Sequence, residues 1–165
     1  MQKESGMGKI GKVRQNGFTL VQLLICLAVM GILVGIAYPV YDKIVRDARL
    51  QSVRAALMEN ARFMEQHYAR HVRYKKNSTQ WPDLPVTEAE GFCIRMSGSA
   101  KGIHEDKYTL KAVAFDKKKE PRVLKVNEAG TAVLCASSKS SCDEKGEVFS
   151  GKSGTDSECR KFGIG

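Results

Sequence analysis

A single apolar run, Phe18 to Tyr41, constrains this chain more than any other feature. In FTLVQLLICLAVMGILVGIAYPVY the only clearly polar side chains are Thr19 and Gln22. A helix needs roughly 20 apolar residues to cross a bilayer, so the run is long enough. Lys3, Lys9, Lys12 and Arg14 precede it against Glu4, a net +3. By the positive-inside rule that flank keeps the N-terminus cytoplasmic and sends the remainder outward. A secretory signal would carry a small-residue cleavage site after its apolar core. None follows here; a Gly17-Phe18 junction precedes the run instead. Cleavage is therefore expected before the apolar segment, which stays in the mature chain.

The segment Gly17-Phe18-Thr19-Leu20-Val21-Gln22-Leu23, with its basic leader and apolar sequel, resembles the type IV prepilin motif. The resemblance implies three parts: a leader over residues 1–17, a transmembrane and filament-core helix over 18–41, and a soluble head over 42–165. It implies a prepilin peptidase as processing partner, cutting after Gly17 and methylating the amine of Phe18. It also implies residence in the inner membrane as a precursor. Assembly with other pilin subunits at the surface of a Gram-negative cell would follow. One position departs from the family. Type IV pilins usually carry Glu where this chain has Gln22, and that carboxylate is thought to neutralise a neighbouring subunit's terminal amine. Gln can accept a hydrogen bond but cannot neutralise an amine, and unpaired buried charge is costly. Gln22 therefore predicts a minor subunit, incorporated weakly or at special positions.

Within the run, Gly31 and Gly35 form a small-xxx-small pair suited to close helix packing. Pro39 should kink the helix, because it lacks an N–H. Cys26 reads as a small apolar residue within the span, outside any disulfide.

Beyond Pro39 the pattern stays helical to about His71. Apolar side chains recur at Tyr41, Ile44, Val45, Ala48, Val53, Ala56, Leu57, Ala61, Met64 and Tyr68, mostly at three- and four-residue steps. Residues 73–90 read as a loop broken by Pro82 and Pro85 and pinned by Trp81. Four strand-like runs follow: Gly91–Ser97, Tyr108–Asp116, Arg122–Asn127 and Thr131–Ala136, with short connections that suggest an antiparallel meander. The fold class is thus α+β, as the pilin family also implies: a long N-terminal helix packed on a four-stranded antiparallel sheet over 91–136. The tail, 137–165, is rich in Ser, Gly and Lys and reads as an irregular C-terminal loop.

Four cysteines lie in the head: Cys93, Cys135, Cys142 and Cys159. In an exported domain an even number implies two bridges, with three pairings open. Their spacing does not make the paired Cys-x-x-Cys repeats of zinc sites. The bridges would staple the tail to the sheet. No phosphate-binding loop, nucleophile elbow or metal-binding helix motif is present, and His67, His71 and His104 are scattered. The chain reads as a non-enzyme, with no catalytic residues, metal or cofactor expected.

The formal net charge is +9, and +6 remains once the leader's +3 is set aside. A basic head attracts polyanions or an anionic surface. Strand alternation puts Tyr108, Leu110, Ala112 and Ala114 on one face and Lys111 on the other. If the strands are neighbours, Arg95, Lys111 and Lys125 line up across an exposed sheet face. Lys101 and Lys107 extend the stripe at a turn, and Lys139, Lys145 and Lys152 add charge from the tail. Such a stripe is the footprint expected for nucleic acid.

Several segments resemble a family of minor pilins from Neisseria-type bacteria. They are Val53 to Glu65, Trp81-Pro82-Asp83-Leu84-Pro85, Glu88 to Arg95, Leu110-Lys111-Ala112-Val113-Ala114 and the four-cysteine tail. That family binds short uptake sequences in double-stranded DNA during natural transformation. The resemblance implies the same partner here, with Arg95, Lys111 and Lys125 at the family's DNA-binding positions. It also implies that the loop between Cys142 and Cys159 helps to choose the sequence. An adhesive or assembly-modulating minor pilin, or a secretion pseudopilin, would share the architecture.

Overall fold

The computed structural model describes residues 19–163 except 103 and 105, with only the backbone at position 39. The leader and the Gly17-Phe18 junction lie outside the described residues. The chain divides into two units, 1–42 and 43–165.

A helix, α1 (Leu20–His71), runs through both. Its start is capped by Thr19, whose Oγ1 accepts the Gln22 N–H at 3.3 Å. Ser and Thr suit this position because the hydroxyl satisfies an amide left unpaired in the first turn. In the first unit the large apolar side chains from Leu20 to Tyr41 are exposed around the helix. This is the one helix among the described residues long and apolar enough to cross a membrane. Cys26 is a free thiol there. The helix is continuous in backbone through position 39.

In the second unit α1 becomes one-sided. Leu50, Val53, Leu57, Asn60, Ala61 and Met64 are buried, a spacing that keeps one stripe of the helix facing inward. The stripe packs on Ile94, Leu110, Ala112, Leu124, Val126 and Leu134 from the sheet. Val72 ends the helix in the left-handed region, φ 57°, while its N–H still donates to the Tyr68 carbonyl at 2.7 Å.

The connection from helix to sheet is pinned at three places. The Tyr74 hydroxyl donates to Glu65 Oε1 at 2.7 Å. Asn60, fully buried, donates from Nδ2 to the Val86 carbonyl at 2.7 Å and accepts the Val86 N–H at 3.0 Å. Trp81 Nε1 donates to the Gly98 carbonyl at 2.9 Å, so Trp81 does fasten this segment to the head.

Among the described residues the sheet has seven strands, not four. They are β1 (Glu88–Ala89), β2 (Phe92–Ser97), β3 (Thr109–Ala114), β4 (Val123–Asn127), β5 (Ala132–Ser138), β6 (Val148–Phe149) and β7 (Asp156–Lys161). The order is β1-β2-β3-β4-β5-β7, with β6 on β2. The central meander β2 to β5 is antiparallel as expected. The tail is the main correction. Rather than forming one irregular loop, it adds β6 to β2 in parallel and β7 to β5 antiparallel. Cys135 is bonded to Cys159, its partner across β5 and β7, and Cys93 to Cys142. These bridges settle the pairing and leave none of the four thiolates for a metal.

Candidate nucleic-acid interface

Alternation along the strands places Arg95, Lys111 and Lys125 in one row. Arg95 pairs with Lys111 across β2 and β3, and Lys111 with Lys125 across β3 and β4. Residues directly opposite lie roughly 5 Å apart, where like charges repel. A bare row would therefore be unstable, and it is not bare. The C-terminal segment from Cys142 to Asp156 lies over this face. It supplies Phe149 and Cys142 to a second small core with Cys93, Val113, Val123 and Cys135.

Each cation in the row is committed to that cover. Arg95 donates to the carbonyls of Cys142 at 2.8 Å, Glu144 at 3.0 Å and Gly146 at 3.0 Å. Lys111 is 0% exposed. Its ammonium donates to Asp156 Oδ1 at 2.6 Å, Ser140 Oγ at 2.9 Å and Ser138 Oγ at 3.0 Å, which uses all three of its protons. Lys125 pairs with the other carboxylate oxygen of Asp156 at 3.0 Å and keeps 24% of its side chain exposed. Phe149 is flanked by both remaining cations, with Arg95 Cζ 5.2 Å and Lys111 Nζ 5.7 Å from its ring centre, within cation–π reach. The expectation of an exposed stripe through Arg95 and Lys111 is thus corrected. The register brings the three cations together, but Lys111 is sealed, and the Arg95 guanidinium is spent on loop carbonyls.

The electrostatics follow the burial. Desolvation holds Lys111 below its ordinary value, opposed by the hydrogen bond that Lys111 donates to Asp156. Burial alone would push the Asp156 carboxyl up. Hydrogen bonds with Lys111, Ser138 and Lys125 outweigh it, and the carboxyl titrates below the usual range.

Two exposed cations, Lys101 and Lys152, meet the partly buried Lys125 where the cover reaches the sheet's end. The turn 97–102 and the segment 148–154 wall an open groove of about 870 Å³, with Lys101, Lys125 and Lys152 on its lining. The lining is otherwise mostly Gly and Ser. Close approach of the two walls requires glycine. A Cβ on Gly151 would sit 2.9 Å from the Gly98 Cα, and the Gly98 N–H donates to the Phe149 carbonyl at 2.8 Å. A smaller groove of about 280 Å³ carries Lys139 and shares Lys152. Lys145 is exposed on the turn that Arg95 holds, and Lys107 is exposed just before β3, outside both grooves. Asp156, Ser138 and Ser140 are site residues that the sequence reading did not single out.

An N-terminal apolar helix, a helix-backed antiparallel sheet and a disulfide-held C-terminal segment are the marks of a type IV pilin. The prokaryotic N-terminal methylation motif matches residues 12–38. The family described as "Type IV minor pilin ComP, DNA uptake sequence receptor" matches residues 39–122, and the chain belongs to that family. The solution structure of the minor DNA-uptake pilin ComP from Neisseria subflava is 58% identical. It covers 68% of this chain and 94% of its own, with a TM-score of 0.57. ComP from Neisseria meningitidis is 45% identical, covering 73% and 99%, with a TM-score of 0.51. The type IV major pilin protein PilE1 of Neisseria gonorrhoeae is 29% identical over 91 residues, which span 54% of this chain and 42% of that pilin.

Proposed function

We propose that this chain is a pilus-borne receptor for double-stranded DNA in natural transformation, with a preference for a short uptake sequence. The observation that carries the reading is the convergence of Lys101, Lys125 and Lys152 on one open groove walled by Gly and Ser. Lysines supply sequence-independent phosphate contacts, and loop amides and hydroxyls fix the register of the duplex. Lys139 and Lys145 extend the cationic surface along the C-terminal segment, and Lys107 adds charge beyond the grooves. Arg95 serves by holding the 142–146 turn that carries Lys145. The family description supports DNA as the ligand.

Cleavage after Gly17, methylation of Phe18 and passage through the inner membrane into a filament of other pilin subunits belong to the same reading. The methylation motif supports them.

The test is selection of a random duplex library on the full chain in detergent, followed by competition with scrambled duplexes. Enrichment of one short motif over its scramble is expected. Binding that ignores sequence and salt alike would contradict the receptor reading and favour an adhesive or secretion role.

A further inference from the structure

Resting on the DNA-receptor reading, we infer that Lys111, with Asp156 as its counter-ion, is a positioning residue for the groove: it sets the C-terminal segment that presents the contacting lysines and does not itself meet the duplex.

Lys111 lies on the central strand β3, and its ammonium reaches two stretches of chain far away in sequence. Ser138 and Ser140 belong to the stretch that carries Lys139. Asp156 follows the stretch that carries Lys152. These two stretches are themselves joined where the Lys139 N–H donates to the Thr155 carbonyl at 2.9 Å. One sealed cation therefore fixes both groups from which Lys139 and Lys152 project. Asp156 divides its two oxygens: Oδ1 turns inward to Lys111, and Oδ2 meets Lys125 on the groove lining. A side chain with no exposed surface and all three protons already donated has nothing left to offer a phosphate.

The experiment uses the full chain in detergent and two readouts. One is tryptic cleavage after Lys152, which needs no DNA. The other is duplex affinity across a salt series, with the motif selected above as probe. Lys111→Met keeps length and removes the charge. It should speed cleavage after Lys152 at least fivefold and weaken binding at least tenfold. In Lys111→Met/Asp156→Leu an apolar pair replaces the clasp. It should restore the cleavage rate to within threefold of the parent.

Asp156→Asn gives the opposite sign under the two ideas. Loss of an anion beside DNA should strengthen binding by charge alone, whereas loosening the clasp should weaken it. We expect weakening, with faster cleavage. An unchanged cleavage rate in Lys111→Met, together with a salt slope shallower by about one, would overturn the inference, because it marks a direct phosphate contact. Failure of the double variant to recover the parent's cleavage rate would also overturn it. If the parent chain binds no duplex while cleavage behaves as expected, the receptor reading falls, the DNA role of Lys111 falls with it, and the clasp alone stands.

Discussion

The face of the sheet toward α1 buries Leu110, Ala112, Leu124 and Val126 against Leu50, Val53, Leu57 and Met64. The opposite face joins a small core, built around two disulfides and Phe149, to a row of three cations. Apolar area holds the first face, and such area forgives small changes of shape. Cross-links and charges hold the second, where Asp156 serves two cations and loop carbonyls serve Arg95. The difference teaches where each property of the head resides. Helix packing sets whether the head folds. The covered charge row sets where the C-terminal segment, and so the groove, comes to lie.

Three changes break this comparison in order of size. Removing the Cys93–Cys142 bridge, as Cys93→Ser/Cys142→Ser, opens a span of 49 residues. It should cost about 4 kcal/mol on the chain-entropy relation. Urea unfolding should show the loss, and duplex affinity should fall even where the helix and sheet remain folded. Leu57→Ala removes a fully buried side chain from the helix face and should cost about 3 kcal/mol. Its effect should appear in the urea midpoint alone, with affinity per folded molecule unchanged.

The smallest effect is acid sensitivity. The carboxyl of Asp156 titrates below its ordinary value in the folded head. Its stabilising contribution is therefore complete above the unfolded value, about 3.9. It is lost as pH falls through the lower folded value. Thermal melts should hold level from pH 7 to about 5 and drop below about 4. Asp156→Asn should flatten that drop. An identical acid profile in the variant would place the sensitivity elsewhere.

Much of the fold could be read from the residues. The helical pattern runs to about His71, where α1 ends, and the four expected strands fall within two residues of β2, β3, β4 and β5. Alternation also placed Arg95, Lys111 and Lys125 in register. It could not show what covers them. A strand's two faces are fixed locally, but burial is decided by whatever packs on each, and here the cover comes from residues 45 positions away in the case of Asp156. One signal was present. On the face of Lys111 the next row is Cys93, Val113, Val123 and Cys135, all apolar and all paired across the strands. A solvent face seldom carries such a row, and strands apolar on both faces are buried on both. The tail escaped because Asp156-Ser157-Glu158-Cys159-Arg160-Lys161 has no alternating apolar pattern. It is held by the β5 edge and the Cys135–Cys159 bridge rather than by its own apolar surface.

The most direct measurement is the salt dependence of duplex binding by the full chain and by Lys101→Ala/Lys152→Ala, at the exposed rim. If these two lysines meet phosphates, the slope of log affinity against log salt should become shallower by about two, and affinity should fall at least tenfold at physiological salt. A slope equal to that of the parent chain would contradict a groove that binds DNA through its exposed lysines.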